Sequence, residues 1–297
     1  MKPNQLSKND YIGVISLSGL LKEKNKNDIE ESILNAKKIN LNVKLGNYIY
    51  ENKEQRQEDK NKNKIIDLNK MLDDNDVKII MSSKGGSDSI ELLDKINYNK
   101  IKNTKKIFIG LSDLTIILNA IYKKTGLITF HHCIFKSFLK GDVNYNKKAF
   151  CDMFFNSKKE YKFKQNFKTI NKGIAQGILL GGNLISFNKL IGTDYLPNAK
   201  EIIYFFEECD EVSKEHVNNI IDNMIRNNLF NNCNGIILGN YSIDNDYFEQ
   251  VFKDKFANIP MIKCCDFGHT KCNMVIPVGA KIQFNANNGT IKILDNV

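Results

Sequence analysis

The sequence predicts an α/β protein with an N-terminal, doubly wound parallel-sheet domain and a smaller, β-rich C-terminal domain. In the first half, short apolar runs alternate with segments whose apolar residues recur at helical spacing, which is typical of parallel strands joined by helices. Near Cys151 the alternation ends, and the rest of the chain is rich in apolar runs with one clear amphipathic helix. We therefore expect an N-terminal domain over 1–157, a linker over 158–172 and a C-terminal domain over 173–297.

The period of the apolar residues defines each predicted element. The predicted N-terminal strands are 11–17, 42–45, 77–81, 106–110 and 126–131, and the helices between them are 28–39, 57–72, 89–96 and 113–124. The predicted C-terminal strands are 202–206, 235–238 and 281–294, with one helix around 217–225. Functional residues of a doubly wound sheet collect where its strands end. Gly85, Ser112 and His131 lie at or just after three such ends.

The composition is that of a soluble globular protein. The chain has 297 residues, of which 42% are hydrophobic and 26% charged, and this length allows a sizeable core. No apolar run in the sequence approaches the roughly 18 residues that cross a bilayer. The N-terminal segment also lacks the apolar core of an export signal. We therefore expect a cytoplasmic protein without a membrane partner.

The cysteines and the charged residues exclude two further classes of site. The seven cysteines are odd in number and unevenly spaced, which favours reduced thiols over a disulfide framework. Those around His269 form no C-x-x-C pair and have no second histidine nearby, so a zinc site is not expected. The net charge of +9 comes from lysines spread along the chain. Because nucleic-acid surfaces favour clustered charge and arginine forks, we expect a solvated lysine surface and no nucleic-acid partner.

Ser112 lies between a predicted strand that ends at Gly110 and a helix that Asp113 opens. A sharp strand-to-helix turn would expose the serine hydroxyl near the helix N-terminus, as a serine nucleophile requires. The alternative is that Ser112 or Asp113 only caps the helix. Leu114 stands where G-x-S-x-G would have its second glycine, which argues against an α/β-hydrolase.

Three other segments carry groups that such a nucleophile would need. The Gly85-Gly86 pair allows backbone N–H groups to approach an oxyanion, although an ordinary loop that needs positive φ is the alternative. Glu207 ends a strongly apolar run, where a buried carboxylate would orient a histidine unless the strand reaches solvent there. His269 lies beside a glycine in a loop and is either a mobile base or a surface histidine. The order serine, acid, histidine is one known arrangement of a catalytic triad.

Taken together, these segments resemble the LD-carboxypeptidase family of serine peptidases, which includes the muropeptide L,D-carboxypeptidases and the microcin C immunity peptidases. Residues 107–115 resemble the family's nucleophile turn, G-[YF]-S-D-x-T, and residues 206–211 resemble its L-E-D-x-x-E motif. The resemblance extends from about Leu6 to Leu294. Its other matching segments are 125–131, 177–184, 191–193, 267–269 and 276–279.

The resemblance implies a role for each of these residues. Ser112 would be the nucleophile, His269 the general base and Glu207 the acid that orients it. The backbone N–H groups of Asp113 and Gly85 would form the oxyanion hole. The resemblance also implies an α/β domain and a β-rich domain with the site between them, a homodimer, and no requirement for a metal or cofactor.

Two departures from the family pattern bear on the substrate. The muropeptide enzymes show R-G-G-Y-G where residues 84–88 read K-G-G-S-D, which is closer to the G-G-x-N-S of the immunity peptidases. The family's H-G-P is H-H-C at residues 131–133. The candidate substrate-binding residues are Lys84, Gly86, Ser87 and His131. Because the chain has no tryptophan, any stacking on a nucleotide would use tyrosine or phenylalanine.

The predicted function is a serine carboxypeptidase with a small peptide substrate. The preferred substrate is a murein tetrapeptide, cleaved at its L-to-D amide bond to release D-alanine in cell-wall recycling. The alternative within the family is an immunity-type peptidase that hydrolyses peptidyl- or aminoacyl-nucleotide antibiotics. A non-catalytic binding protein with the same fold is the alternative from another class, and the intact set Ser112, Glu207 and His269 argues against it.

Overall fold

A six-stranded sheet organises the N-terminal half in the computed structural model, which describes residues 1–52, 56–209, 213–241 and 244–295. Its five N-terminal strands are parallel: β1 (Tyr11–Ile15), β2 (Asn42–Leu45), β3 (Val77–Ser82), β4 (Ile107–Gly110) and β5 (Thr129–His131). They lie in the order β5-β4-β3-β1-β2. The strand order therefore reverses between β1 and β3, where ligands bind in sheets of this type. The predicted doubly wound parallel sheet is confirmed.

Helices connect these strands much as the apolar spacing predicts. They are α1 (Lys26–Lys37), α2 (Gln57–Asp73), α3 (Tyr98–Thr104), α4 (Leu114–Thr125) and α5 (Val143–Phe154). The segment Ser89–Lys95, predicted as an α-helix, is a 3₁₀ helix. Helices α3 and α5 were not predicted; the Asp142 side chain caps α5 by accepting a hydrogen bond from the Tyr145 N–H at 3.0 Å.

An eight-stranded mixed sheet organises the C-terminal half. Its central strands are parallel: β8 (Ile174–Asn183), β9 (Ile202–Glu208), β10 (Cys233–Tyr241) and β11 (Met261–Lys263). Antiparallel strands extend both edges: β6 (Glu160–Lys162), β7 (Lys168–Asn171), β13 (Lys281–Asn285) and β14 (Thr290–Ile293). Three helices accompany the sheet: α6 (Leu184–Asn188), α7 (Lys214–Arg226) and α8 (Asn245–Lys255). The predicted strand over 281–294 is a hairpin that turns at Gly289, whose φ is +68°.

One strand of the C-terminal half joins the N-terminal sheet, and the two halves share their apolar cores. Strand β12 (Ile276–Val278) comes from the C-terminal half but pairs antiparallel with β5 at the edge of the N-terminal sheet. Residues 158–172, the predicted linker, contain β6 and β7 of the second sheet. Each of the two main clusters of buried apolar side chains includes residues of both halves. The domain division at 157 and 173 stays a prediction.

In the described part of the chain, no helix has both the length and the apolar character required to cross a bilayer.

Candidate active site

Ser112 occupies a strained turn between β4 and α4. Its φ is +63°, a left-handed conformation that costs a non-glycine residue about 1 kcal/mol or more. The turn is tight: a Cβ added to Gly110 would lie 2.5 Å from the Leu114 Cβ, so this position requires glycine. The Ser112 carbonyl accepts the Thr115 N–H at 2.9 Å. The sharp strand-to-helix geometry predicted for Ser112 is therefore present.

Asp113 ties this turn to the loops after β1 and β3. Its side chain makes no capping hydrogen bond to α4 and is only 1% exposed. The carboxylate accepts hydrogen bonds from the Ser18 hydroxyl at 2.7 Å and the Ser89 N–H at 2.8 Å, and it lies 3.5 Å from the Lys189 ammonium. Asp113 therefore holds the serine turn next to the loops after β1 and β3, where the strand order of the sheet reverses.

The Gly85-Gly86 pair meets Ser112 at close range. A Cβ on Gly85 would lie 3.3 Å from the Ser112 Oγ, and one on Gly86 would lie 2.5 Å from the Gly19 backbone nitrogen. Neither glycine has a positive φ, so close approach and not backbone conformation requires them. The N–H groups of Gly85 and Asp113 donate to no other group in the described part of the chain, which leaves both available to an oxyanion.

Glu207 and His269 form a direct contact across the C-terminal half. The Glu207 Oε2 lies 2.7 Å from the His269 Nδ1 and accepts the His269 backbone N–H at 3.2 Å. Gly268 permits this contact, because its φ is +102° and a Cβ there would lie 2.7 Å from the Glu207 Cβ. Glu207 is fully buried and the His269 side chain is 29% exposed. The alternative that the strand reaches solvent at Glu207 is therefore wrong.

Electrostatics keeps Glu207 charged and orients the imidazole. Burial alone would raise the pKa of Glu207, but the charge of His269 and its hydrogen bonds outweigh burial and hold that pKa below its ordinary value. An ionised carboxylate only accepts hydrogen bonds, so the His269 Nδ1 carries the proton. When the imidazole is neutral, its Nε2 is then unprotonated.

The docking of α4 on the second sheet sets the position of Ser112 relative to Glu207. The Thr115 hydroxyl on the first turn of α4 accepts the Asn183 N–H at 2.9 Å. One turn later, the Asn119 amide donates to the Gly181 carbonyl at 2.8 Å. Asn183 lies opposite Glu207 in the β8–β9 pairing. Helix α4, which begins at the serine turn, is thus hydrogen-bonded to β8, the strand that pairs with β9 next to Glu207.

The neighbouring carboxylate, Glu208, points to the other face of β9, as alternate residues of a strand do. It accepts hydrogen bonds from the Asn183 amide at 2.6 Å and the Ile185 N–H at 3.0 Å. Burial and repulsion from Glu207 raise the pKa of Glu208. It therefore stabilises the junction between β8 and α6 and does not contact the histidine.

Helix α5 holds the loop that carries the histidine, and this role was not predicted. The Tyr145 hydroxyl donates to Asp266 at 2.6 Å. The next residue, Asn146, donates to the Lys271 carbonyl at 2.9 Å and accepts the Asn273 N–H at 2.7 Å. These bonds span both sides of the loop between 266 and 273. In the sequence they join residues more than 100 positions apart, so no local pattern could reveal them.

A cavity of about 740 Å³ brings the candidate residues together. Ser112 and His269 both line it, as do the predicted Lys84, Gly85 and Gly86. Further lining comes from the loop after β5, the end of β9 and the loop around the histidine, including His132, Lys136, Lys140, Cys209, Lys271 and Asn273. Asp210 and Glu211, part of the L-E-D-x-x-E match, lie outside the described residues. The two halves of the chain therefore contribute to one site.

Two predicted substrate-binding residues are not among the described residues that line the cavity. His131 is fully buried, with its ring centroid 5.3 Å from that of Phe205 and 6.1 Å from that of Phe267. Burial lowers the pKa of His131 to about 4, so it is neutral at pH 7. Ser87 is exposed, and its carbonyl accepts the Lys189 ammonium at 3.2 Å. His132 is among the residues around the cavity, but its side chain is also fully buried. No cluster of three or more metal-ligating side chains occurs among the described residues.

Known proteins match the chain along most of its length. Sequence models of the LD-carboxypeptidase N-terminal and C-terminal domains match residues 12–132 and 176–284. A putative carboxypeptidase from Treponema pallidum is 28% identical and covers 99% of this chain and 95% of its own. A probable murein peptide carboxypeptidase from Bacillus subtilis is 26% identical over 98% and 94% of the two chains.

A solved structure matches the whole fold. The crystal structure of an MccF-like protein from Bacillus anthracis superimposes with a TM-score of 0.88 and 27% identity, and the match covers 99% of each chain. Both domain matches and the two-sheet architecture agree with one assignment. The chain belongs to the LD-carboxypeptidase family.

Proposed function

We propose that the chain is a serine carboxypeptidase in which Ser112, His269 and Glu207 act as nucleophile, general base and orienting acid. The observation that carries this proposal is the 2.7 Å contact between Glu207 and His269, made by a histidine that lines the same cavity as Ser112. A free serine hydroxyl is a weak nucleophile at neutral pH and needs a positioned base. In the proposed triad, His269 would act as that base.

The proposed reaction has two halves. The Ser112 Oγ attacks the carbonyl carbon of the substrate's terminal amide while the His269 Nε2 takes the hydroxyl proton. The N–H groups of Gly85 and Asp113 stabilise the negative charge on the tetrahedral oxygen. The C–N bond then breaks, and His269 returns the proton to the leaving amine. Water, activated by His269, attacks the acyl-enzyme and releases the shortened peptide.

The preferred substrate is a murein tetrapeptide, cleaved at its L-to-D bond to release D-alanine. The Bacillus subtilis relative, named a probable murein peptide carboxypeptidase, supports this choice because the match covers almost all of both chains. Lys84, which stands at the family's arginine position and lines the cavity, would supply positive charge to the terminal carboxylate.

The second candidate is hydrolysis of a peptidyl- or aminoacyl-nucleotide, as in immunity to microcin C. The similarity to an MccF-like structure and the K-G-G-S-D sequence at 84–88 favour it. However, no tyrosine or phenylalanine is among the described residues that line the cavity, so none of them would stack on a base. We therefore place the murein peptide first.

A side-by-side assay tests the two candidates. Purified protein is incubated with murein tetrapeptide or with a peptidyl-nucleotide, and the products are identified by mass spectrometry. We expect release of D-alanine and a tripeptide, and faster turnover of the tetrapeptide. Faster turnover of the nucleotide would favour the immunity-type function. Turnover of neither substrate, with no labelling of Ser112 by a serine-reactive phosphonate, would favour a non-catalytic binding protein. The homodimer and the cytoplasmic location remain predictions.

A further inference from the structure

A buried lysine lies beside the loop that carries the glycine pair. Lys64 on α2 is only 1% exposed, and its ammonium lies 2.6 Å from the Asp88 Oδ2. Asp88 follows Gly86 by two residues, and its side chain is 22% exposed. A buried ion pair contributes little net stability over apolar side chains of similar size, so stability alone does not explain a lysine at this place.

Asp88 extends this ion pair toward the serine turn. Its Oδ1 lies 3.3 Å from the Ser18 hydroxyl, and the same hydroxyl lies 2.7 Å from the Asp113 Oδ2. A hydroxyl has one proton to donate, so the closer Asp113 receives it, and two carboxylates face each other across Ser18. Burial would raise the pKa of Asp88, but its hydrogen bonds and the charge of Lys64 outweigh burial and hold that pKa below its ordinary value.

The loops after β1 and β3 pack against each other without space for a side chain. A Cβ on Gly86 would lie 2.5 Å from the Ser18 Oγ, and a Cβ on Gly19 would lie 2.6 Å from the Gly85 carbonyl oxygen. Because packing at this density transmits small shifts, a displacement of Asp88 also displaces the glycine pair.

The Asp113 carboxylate joins these loops to the serine turn. The Ser89 N–H donates to Asp113 at 2.8 Å, and the Ser89 hydroxyl donates to the Leu17 carbonyl at 2.8 Å. The backbone N–H of Asp113 is one of the two proposed oxyanion donors, and that of Gly85 is the other. The network that begins at α2 therefore connects the two segments that supply both donors.

None of Lys64, Asp88 and Ser18 is among the described residues that line the cavity, so they act on the reaction only through the groups they hold. We propose that the Lys64–Asp88 ion pair positions the oxyanion hole by holding its two N–H donors at a fixed separation. Without Lys64, the charge of Asp88 is unbalanced and repels Asp113 across the shared hydroxyl, which moves the two donors apart. This inference rests on the proposed function, because it presumes an attacking serine.

Labelling by a fluorophosphonate measures the oxyanion hole without a peptide substrate. The Ser112 Oγ forms a bond to phosphorus, its proton passes to His269, fluoride leaves, and the phosphoryl oxygen occupies the oxyanion hole. Lys64→Met and Asp88→Asn each leave one charge without its partner, so we expect labelling rate constants about 10- to 100-fold lower. The double variant Lys64→Met/Asp88→Asn removes both charges and should label within about threefold of wild type.

Two further measurements separate positioning from stability. Leu68 is buried one turn beyond Lys64 on α2, so Leu68→Ala should lower the free energy of unfolding but label within about threefold of wild type. Hydrogen exchange of the Ser89 N–H, followed by NMR, reports on the bond to Asp113. It should be about tenfold faster in Lys64→Met and should return to the wild-type rate in the double variant.

Each outcome supports or overturns the inference. Unchanged labelling of Lys64→Met, a double variant that stays as slow as Lys64→Met, or equal slowing by Leu68→Ala would overturn it. If Lys64→Met does not fold, slow labelling of Asp88→Asn with recovery in the double variant supports positioning, and a slow double variant overturns it.

Failure of the proposed function would give a different result. A folded wild-type protein that the fluorophosphonate does not label would reject the serine peptidase. Exchange of the Ser89 N–H would then decide the inference, since it needs no reaction at Ser112. Faster exchange in a variant that loses one charge, with recovery in the double variant, would support positioning by Lys64 and Asp88, and unchanged exchange would overturn it.

Discussion

The Glu207 Oε2 lies 2.7 Å from the His269 Nδ1, although the two residues are 62 positions apart in the sequence. The carboxylate is completely buried, whereas the imidazole extends from it toward an open cavity. This difference in burial matters because a buried charge orients its partner strongly, while the partly exposed imidazole lies at the cavity that a substrate would enter.

Replacement of Glu207 by glutamine should disable the base and leave the fold in place. The amide keeps the shape of the side chain but loses the charge that holds the proton on Nδ1, so kcat should fall about 10³- to 10⁴-fold. Steady-state release of D-alanine from murein tetrapeptide measures the effect. The matched control is Glu208→Gln on the opposite face of β9, which should change kcat less than about tenfold. Similar losses in both variants would refute a specific role for Glu207.

Ser112→Ala and Ser112→Gly should both be inactive but should differ in stability. Each loses the nucleophile, so kcat should fall by about four to six orders of magnitude. Both variants must adopt the positive φ of this position, but it is strained for alanine and not for glycine. The glycine variant should therefore have a free energy of unfolding about 1 kcal/mol higher than the alanine variant. Urea denaturation measures this difference, and equal stabilities would contradict strain at the turn.

Gly268→Ala should displace Glu207 and reduce activity. A Cβ at Gly268 meets the Glu207 side chain as close as 2.7 Å, so the carboxylate or the histidine loop must shift, and a shift of about 1 Å costs on the order of 100-fold in kcat. Gly192→Ala is the control, because Gly192 has a φ of +80° and no atom within 4 Å of an added Cβ. It should lose about 1 kcal/mol of stability and no activity. Full activity of Gly268→Ala would disprove the close packing.

Asn146→Ala should loosen the histidine loop. It removes the bonds to Lys271 and Asn273 that span the loop, so kcat should fall about tenfold or more while KM changes little. The exposed Asn144 lies on the same helix, and Asn144→Ala serves as the control that should match wild type. A rise in KM alone, with kcat retained, would assign Asn146 to substrate binding instead.

His131→Leu should reduce the loss of folding stability that occurs as the pH falls from 7 to 5. Burial lowers the pKa of His131 from 6.5 to about 4, with Glu207 opposing and His269 reinforcing the shift. The unfolded chain therefore binds a proton that the folded chain excludes, so stability is full above about pH 6.5 and is lost as the pH falls toward 4. Between pH 7 and pH 5 this residue should account for about 2 kcal/mol. Urea denaturation at the two pH values should show a smaller difference for the variant. An unchanged difference would mean that another group, such as the buried His132, dominates.

Much of the fold could be predicted from local patterns. The alternation of apolar runs and helical spacing predicted the parallel N-terminal sheet, because period and residue type depend only on neighbours in the sequence. Helices α5 and α8 were missed because lysine, asparagine and acidic residues surround their apolar positions. The strand β12 could not be assigned to the N-terminal sheet, since its pairing with β5 depends on a contact far along the chain.

The sequence by itself determined which residue types stand at the serine turn, at the end of β9 and in the histidine loop, and in what order. Only the tertiary structure decided that Glu207 is buried against His269, that His131 and His132 are both buried beside aromatic side chains, and that Asp113 anchors the turn. The reason is physical: a residue type and its spacing are local, whereas burial and hydrogen-bond partners depend on how two sheets dock through many weak contacts. Ser112 depends on both: the local sequence predicts its strand-to-helix turn, whereas the surrounding glycines, the Asp113 carboxylate and the second sheet maintain its strained φ.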